Sequence, residues 1–283
     1  MEKVGVVGAG LMGSGIVETC ARAGCHVMVR EVDEAVLNRG LSRIQKSMAT
    51  AVERGKMSEQ ERDDAGSRIR GTTSLEDMAD RDIVIEAAVE NMDIKKEVFR
   101  DLDRITPTHA LLVTNSSSLS STELGSVTKR PDKVAGLHFF NPVPVMKLVE
   151  IVRALETSDQ TMSDLRSFSE KLGKTVVVAR DTPGFIVNAL LIPYLVDAVR
   201  MLENGIASKE DIDTAIHLGL GHPMGPLTLL DFVGLDTTLY IADIMYDEFK
   251  DPRYAAPPLL RKMVASGMMG RKSGRGFYEY GGR

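Results

Sequence analysis

The sequence predicts an α/β fold in two parts: a doubly wound parallel sheet over residues 1–182, followed by an all-helical domain over residues 183–283. Short β-rich runs alternate with helical segments in the first part, which is the pattern of a parallel sheet with crossover helices. The run 83–87 (IVIEA) has the nearly continuous apolar character expected where helices cover both faces of a sheet. At the breaker cluster 180–184 (RDTPG) the strand patterns stop and only helical patterns follow.

Each element has a local signal in the chain. We expect strands at residues 3–7, 26–29, 83–87, 111–114, 134–138 and 174–178. Helices are expected over residues 11–23, 33–54, 93–104, 157–172 and 185–203, and from about 208, 226, 236 and 258 onwards. Asp33 is the expected N-cap of the second helix. Three further helix starts have capping-box spacing: Ser58 with Glu61, Ser120 with Glu123, and Thr157 with Gln160.

A glycine-rich loop, Gly8-Ala9-Gly10-Leu11-Met12-Gly13, follows the first strand. It opens a helix and precedes a second strand that ends at Glu31, 18 positions after Gly13. This context is typical of a dinucleotide-binding, Rossmann-type domain, in which the glycines allow a tight turn, close approach to the pyrophosphate and close helix packing. We therefore predict that residues 8–13 bind the cofactor. Glu31 would bind the ribose diol and repel a 2′-phosphate, which favours NAD, while the adjacent Arg30 leaves NADP open.

The stretch 136–150 (GLHFFNPVPVMKLVE) is predicted to bring a histidine and a glutamate together. If Pro142 to Val145 form the turn of an antiparallel pair, His138 faces Glu150. The carboxylate would orient the imidazole and stabilise its cation, so that the other ring nitrogen can take a proton from a substrate hydroxyl. A core histidine beside an unrelated glutamate is the alternative for an isolated pair.

Two other groups of polar residues lie where a ligand could bind. Glu90 and the run Ser116-Ser117-Ser118 follow predicted strands, at the sheet edge where ligands bind in such folds, although the serines could simply cap the next helix. On the long helix 33–54, Ser47 and Arg54 share a face, because they are seven residues apart, with Arg43 and Lys46 close by. A solvated charged face is the alternative for that helix.

Composition excludes several other classes of protein. A content of 43% hydrophobic and 27% charged residues is typical of a globular protein, and a net charge of -5 argues against general nucleic-acid binding. Cys20 and Cys25 have neither the number nor the spacing of a disulfide framework or a zinc site, so we expect buried thiols and no metal. We also expect no membrane span, and the start MEKVGVVGAG predicts a cytoplasmic protein because it lacks the features of a signal peptide.

Seven motifs together carry a family resemblance: GAGLMGSGI, VIEAAVEN, the serine run before Leu119, HFFNPVPVMKLVEIV, DTPGFIVN, GHPMGPLTLLDFVGLD and GRKSGRGFYEY. In order and spacing they resemble the 3-hydroxyacyl-CoA dehydrogenase family, and within it the bacterial 3-hydroxybutyryl-CoA group. The resemblance extends over essentially all 283 residues. It implies an NAD-binding domain, a helical domain that forms a homodimer, and an active site between them. The length of 283 residues leads us to expect a stand-alone dehydrogenase without a hydratase domain. The implied reaction is reversible oxidation of a short-chain (S)-3-hydroxyacyl-CoA to the 3-ketoacyl-CoA.

The resemblance also implies roles for individual residues. His138 matches the catalytic histidine and Glu150 its carboxylate partner, while Ser117 matches a serine that contacts substrate and nicotinamide. Asn188 matches an asparagine contributed by the second domain. The remaining matches are Glu90, Lys95, Asn141 and Lys272 to cofactor contacts, and Ser47 and Arg54 to positions that hold coenzyme A.

The chain departs from the family pattern at three positions. Glu31 stands where aspartate is usual, Ser116 where threonine is usual, and Arg54 where lysine is frequent. The first leaves the choice between NAD and NADP partly open, and the other two preserve a hydroxyl or a charge.

Two other functions remain open from the sequence. A dehydrogenase of a free hydroxy acid or sugar acid would share the scaffold without needing the basic helix face. A non-enzymatic nucleotide-binding protein would not require His138, Glu150, Ser117 and Asn188 together. The sequence also leaves open whether the pathway is butyrate formation, fatty-acid oxidation or breakdown of another acyl-CoA.

Overall fold

The computed structural model describes residues 1–281 and divides the chain into two compact units, Met1–Thr182 and Pro183–Arg283. The first unit contains one eight-stranded sheet. Its strands are β1 (Lys3–Val7), β2 (His26–Arg30), β3 (Ile69–Thr72), β4 (Ile83–Glu86), β5 (Leu111–Thr114), β6 (Val134–Phe139), β7 (Leu148–Arg153) and β8 (Thr175–Arg180). Their order across the sheet is β3-β2-β1-β4-β5-β6-β7-β8, and every neighbouring pair is parallel except β6 with β7.

The helices of the first unit cover both faces of this sheet. They are α1 (Leu11–Arg22), α2 (Glu34–Glu53), α3 (Glu59–Ser67), α4 (Met92–Ile105), α5 (Ser121–Gly125) and α6 (Asp159–Lys171). Two hydrophobic clusters lie beneath them, one centred on β1, β2 and β6 with α1 and the other around Phe99, Leu102 and Leu112. The predicted doubly wound α/β sheet is therefore confirmed.

The second unit is helical. It consists of α7 (Val187–Glu203), α8 (Lys209–Leu220), α9 (Pro226–Val233), α10 (Leu235–Phe249) and α11 (Pro258–Ala265). Its core includes Leu195, Leu227, Leu230 and Leu260, which have no exposed surface. Isolated bridges pair Arg275 with Gly270 and with Glu279, so residues 270–279 fold into a compact turn after the last helix. Among the helices described for residues 1–281, none has the length and apolar character needed to cross a bilayer.

Most predicted elements and caps agree with the structure within one or two residues. The Asp33 carboxylate caps α2 by accepting from Val36 N at 2.8 Å, and Ser58 with Glu61 forms a complete capping box on α3. Cys20 and Cys25 are buried free thiols, as predicted. α7 begins at Val187, two residues after its predicted start.

The structure corrects three local predictions. Ser158, not Thr157, caps α6, because the Thr157 hydroxyl instead donates to Val134 O at 2.6 Å. Ser120 caps α5, but its capping box is incomplete because the Glu123 carboxylate binds Lys96. The edge strand β3 has no counterpart among the predicted strands, since its sequence IRGT lacks an apolar run.

The sheet order fixes where a ligand can bind. Strands β2 and β3 lie on one side of β1, and β4 lies on its other side, so the direction in which strands are added reverses at β1. In open α/β sheets ligands bind beyond the carboxyl ends of the strands at this switch point. The residues that follow β1, β4, β5 and β6 therefore define the candidate site.

Candidate active site

The glycine loop after β1 has the shape of a pyrophosphate cradle. Gly8 adopts φ +104°, and a Cβ at Gly13 would lie 1.9 Å from Gly8 O, so a larger residue at either position would strain or displace the turn. A Cβ at Gly10 would meet nothing within 4 Å, which leaves open space above the loop. Gly10 is also the N-cap of α1 and gives it no side-chain cap, so the amide groups of the first turn are oriented to receive an anion.

Glu31 is tied directly to this loop. Its Oε1 accepts from Ala9 N at 2.6 Å and its Oε2 from Val32 N at 3.1 Å. The neighbouring Arg30 donates through Nε to Thr73 O at 3.3 Å. The carboxylate therefore lies at the end of β2 beside the glycine loop, where the fingerprint predicts contact with the ribose.

His138 and Glu150 face each other across β6 and β7. They are paired in the antiparallel register, and the imidazole Nδ1 lies 2.8 Å from Glu150 Oε2. Glu150 has no exposed surface and His138 is 7% exposed, so this is a buried pair. Because a carboxylate can only accept, Nδ1 is the protonated nitrogen and Nε2 is the basic one. The register follows from the turn at residues 142–145, where Val145 N donates to Pro142 O at 3.0 Å.

Two side chains fix the segment that joins these strands. Asn115, directly after β5, accepts from Phe139 N through Oδ1 at 3.0 Å and holds the end of β6. The buried Lys174 ammonium donates to Val143 O at 2.5 Å and to Met146 O at 2.8 Å. Burial lowers the pKa of Lys174. The two carbonyl oxygens need a hydrogen-bond donor, and Lys174 supplies it and so holds the turn in place.

The serine run after β5 forms hydrogen bonds with the loop after β4. The Ser116 hydroxyl donates to Glu90 Oε1, and the Ser118 hydroxyl donates to the same oxygen at 3.4 Å. Ser116 Oγ also accepts from Leu119 N at 2.9 Å. Ser117 lies between these two serines and is half-buried. The run therefore does more than cap the next helix, while the ligand contact expected of Ser117 stays a prediction.

A buried ionic cluster lies beside this loop and centres on Glu86, which the sequence analysis did not single out, although it named Glu90 and Lys95 as expected cofactor contacts. Glu86, the last residue of β4, is fully buried and accepts from Lys95 Nζ at 2.7 and 2.9 Å, Ala88 N at 2.7 Å and Thr114 Oγ1 at 2.7 Å. Lys95 is 1% exposed and also lies 3.2 Å from Glu90 Oε2. The signal was a glutamate in an otherwise apolar strand, since a buried carboxylate needs charged or donor partners.

Ser47 and Asn141 line a common small cavity. Its volume is about 120 Å³, and it lies between α1, α2 and the turn after β6, with Leu11 of the glycine loop at its wall. Arg43 donates to Ala9 O at 3.1 Å and to Ser14 Oγ at 3.3 Å, so this cation also supports the glycine loop. Arg54 is the exposed C-cap residue of α2.

Comparison with known proteins identifies the family. The model of the 3-hydroxyacyl-CoA dehydrogenase NAD binding domain matches residues 3–182, and the model of the C-terminal domain of the same family matches residues 184–280. The chain belongs to the 3-hydroxyacyl-CoA dehydrogenase family. The predicted resemblance is therefore confirmed, together with the oxidoreductase class and NAD as cofactor.

Individual relatives are similar to this dehydrogenase over their whole length. A 3-hydroxybutyryl-CoA dehydrogenase of Mycobacterium tuberculosis is 53% identical over 282 residues, which cover 99% of each chain. The crystal structure of M. tuberculosis FadB2 is 52% identical with a TM-score of 0.97, covering 99% of each chain. The (S)-3-hydroxybutyryl-CoA dehydrogenase PaaH1 of Ralstonia eutropha is 43% identical with a TM-score of 0.95, covering 100% of each chain.

The dehydrogenase's own residues fit NAD. The open space above Gly10, the uncapped start of α1 and the carboxylate of Glu31 suit a pyrophosphate and an unphosphorylated ribose. Glu90 lies at the same sheet edge.

Two predicted site residues belong to the second unit. Asn188 is half-buried in the first turn of α7. Lys272 binds the Asp236 carboxylate, with its Nζ 2.6 Å from Oδ1 and 2.7 Å from Oδ2. Their contacts with substrate or cofactor stay predictions.

Proposed function

We propose that this protein catalyses the NAD-dependent, reversible oxidation of (S)-3-hydroxybutyryl-CoA to acetoacetyl-CoA. The observation that carries the proposal is the buried His138–Glu150 pair, with 2.8 Å between Nδ1 and Oε2, on the same sheet edge as the glycine loop. Proteins 53% and 43% identical to this chain over nearly their whole length are named for 3-hydroxybutyryl-CoA.

The histidine acts as general base in oxidation and general acid in reduction. When bound, NAD supplies the acceptor for the hydride that leaves the substrate carbon. His138 Nε2 takes the proton of the substrate hydroxyl, and Glu150 stabilises the imidazolium that forms. In the reverse direction the imidazolium returns this proton to the 3-keto oxygen. Such proton transfer contributes roughly 10²- to 10⁴-fold in rate.

Hydrogen-bond donors complete the proposed site. The Ser117 hydroxyl, between the two serines that bind Glu90, donates to the reacting oxygen. We propose that the Asn188 amide donates to the substrate as negative charge develops on oxygen. Asn141 and Lys272 are proposed cofactor contacts. An Asn188→Ala variant with the turnover of wild type would remove Asn188 from this set.

Coenzyme A is proposed to bind along α2. Ser47 lines the small cavity beside the glycine loop, and Lys46 and Arg54 are exposed cations on the same helix. Because the protein has a net charge of -5, a multiply phosphorylated substrate requires positive charge collected locally.

We also propose a homodimer formed through the second unit. Several large apolar side chains of this unit are exposed, among them Leu190 and Leu218 at 73% each and Ile206 at 67%. Large exposed apolar patches mark protein interfaces, and we propose that these side chains contribute to one. Light scattering that gives the monomer mass at micromolar concentration would contradict the proposal. A cytoplasmic location is also proposed, and cell fractionation tests it.

The substrate assignment is tested by kinetics with a panel of acceptors. NADH oxidation is measured with acetoacetyl-CoA, with longer 3-ketoacyl-CoAs and with free acetoacetate, and repeated with NADPH. We expect the highest kcat/KM with acetoacetyl-CoA and NADH. Higher kcat/KM with free acetoacetate would instead favour a dehydrogenase of free acids.

A further inference from the structure

Arg43 connects helix α2 to the glycine loop. Its Nη1 donates to Ala9 O at 3.1 Å and to Ser14 Oγ at 3.3 Å, while the Ser14 hydroxyl donates to the same Ala9 oxygen at 2.8 Å. The helix lies close to the loop at this point, because a Cβ at Gly40 would be 2.4 Å from Ala9 Cβ. Contacts with α2 and α1 therefore fix the position of the Ala9 carbonyl.

The fixed carbonyl determines the direction of the next amide. The peptide bond between Ala9 and Gly10 is trans, so the Gly10 N–H points away from the Ala9 carbonyl oxygen. Since that oxygen faces Arg43, the Gly10 N–H is directed away from the guanidinium. Rotation of this peptide would exchange the donor for a carbonyl oxygen, which repels an anion. Arg43 therefore stabilises the form of the loop in which Gly10, the N-cap of α1, offers a donor to a pyrophosphate.

The same side chain lies beside the proposed coenzyme A site. Arg43 and Ser47 are one helical turn apart on α2, and both line the cavity of about 120 Å³. The Arg43 side chain is largely exposed, so its charge is accessible to a ligand that binds from solvent. A guanidinium has five N–H donors in a planar fork, so one arginine can contact the loop and a phosphate group at the same time.

We propose that Arg43 is a binding residue shared by the cofactor and the acyl-CoA. It holds the glycine loop in the form that receives the NAD pyrophosphate, and it offers its charge to the phosphates of coenzyme A. The second role rests on the proposed binding of coenzyme A along α2. Because both ligands carry phosphate groups, a cation beside both sites also reduces their mutual repulsion. Loss of Arg43 should therefore weaken both ligands, whereas loss of Lys46 and Arg54 should weaken the acyl-CoA alone.

The substitution Arg43→Met tests the shared role, because it removes the charge and both contacts with the loop but keeps a long side chain. The Kd of NADH, measured by fluorescence titration without acyl-CoA, should rise about three- to tenfold, which is the effect of losing one hydrogen bond of ordinary net strength. KM for acetoacetyl-CoA at saturating NADH should also rise several-fold. We expect kcat to stay within about twofold of wild type, since His138 and Glu150 lie on β6 and β7.

Two further variants separate the contacts from the charge. Arg43→Lys keeps the charge, but its ammonium is one bond closer to the backbone than Nη1 and lacks the planar fork. We expect KM for acetoacetyl-CoA near that of wild type and a Kd of NADH that is still raised. Arg39→Met is the matched control, because it removes a positive charge from an exposed position one turn earlier on α2. Both constants should equal those of wild type in this control.

Weaker binding of both ligands in Arg43→Met, with Arg39→Met unchanged, supports the proposal. A change in only one of the two constants in Arg43→Met overturns the shared role. Equal weakening in Arg39→Met also overturns it, because the effect would then be one of general charge. If Arg43→Met does not fold, Arg43→Lys still tests the contact with the loop through the Kd of NADH. A wild-type protein that does not turn over acetoacetyl-CoA would contradict the proposed function, whereas failure of this inference is seen in variants of an active wild type.

Discussion

The substitution Glu150→Gln isolates the contribution of one buried charge to catalysis. Glutamine has the size of glutamate, and its amide oxygen can still accept the hydrogen bond that His138 Nδ1 now gives to Oε2 at 2.8 Å. The pair should therefore keep its geometry while losing the negative charge. The register of β6 with β7 involves backbone groups and is not altered.

The expected loss follows from the interaction of the carboxylate with the imidazolium. For charge centres about 4 Å apart and an effective dielectric constant near 20, this interaction is worth about 4 kcal/mol. The imidazolium is about half formed in the transition state of proton transfer, so about 2 kcal/mol of stabilisation is lost, which lowers kcat about 30-fold. The affinity for NADH should not change, because Glu150 lies on β7, away from the glycine loop.

The assay is steady-state alcohol oxidation and ketone reduction, with kcat and KM measured in both directions. Glu156→Gln is the matched control, since it removes the same charge from an exposed position shortly after β7. A kcat within about threefold of wild type in Glu150→Gln would refute the assignment of Glu150.

Three further predictions address the cofactor, the coenzyme and the thiols. Glu31→Ala should weaken NADH binding, because it removes the 2.6 Å contact with the glycine loop, and should weaken discrimination against NADPH, because it removes the ribose acceptor. A wild-type protein that already prefers NADPH would contradict this prediction. Replacing Lys46 and Arg54 together by methionine should raise KM for acetoacetyl-CoA several-fold and reduce the salt dependence of this KM, since each exposed contact is worth about 1 kcal/mol or less. KM for NADH and KM for a truncated thioester should stay unchanged. Equal effects on both thioesters would remove these cations from the coenzyme site. Burial raises the pKa of the Cys20 and Cys25 thiols. In the native protein at mildly alkaline pH neither thiol should therefore react with a disulfide reagent, while both should react after denaturation. Fast reaction of either thiol in the native protein would contradict their burial.

The pairing of His138 with Glu150 was predictable because the turn between their strands fixes the register. A turn at residues 142–145 determines which residues of the flanking strands face each other, and a one-residue slip would have turned His138 to the other face of the sheet. The glycine loop was predictable for a related reason, since the positions of Gly8 and Gly13 are required by backbone geometry alone.

The parts that could not be predicted depend on tertiary contacts. Thr157 and Ser158 are both competent helix caps, and only the contact of Thr157 with Val134 O decides between them. The Glu86 cluster joins residues from β4, α4 and β5, and only the packing of these elements brings the Lys95 ammonium and the Thr114 hydroxyl to the same carboxylate. β3 is recognisable only through its pairing with β2.

The most direct test of the proposed reaction is the substitution His138→Gln, studied by turnover and by cofactor binding together. If Nε2 of His138 is the base, kcat for NADH oxidation with acetoacetyl-CoA should fall by about two orders of magnitude or more, while the Kd of NADH stays near that of wild type. The matched control is His109→Gln, which should behave as wild type in both measurements. His109 is exposed and lies just before β5, at the amino ends of the parallel strands and therefore away from the candidate site. Near-wild-type turnover in His138→Gln would contradict the account, because no other histidine is paired with a buried carboxylate in residues 1–281.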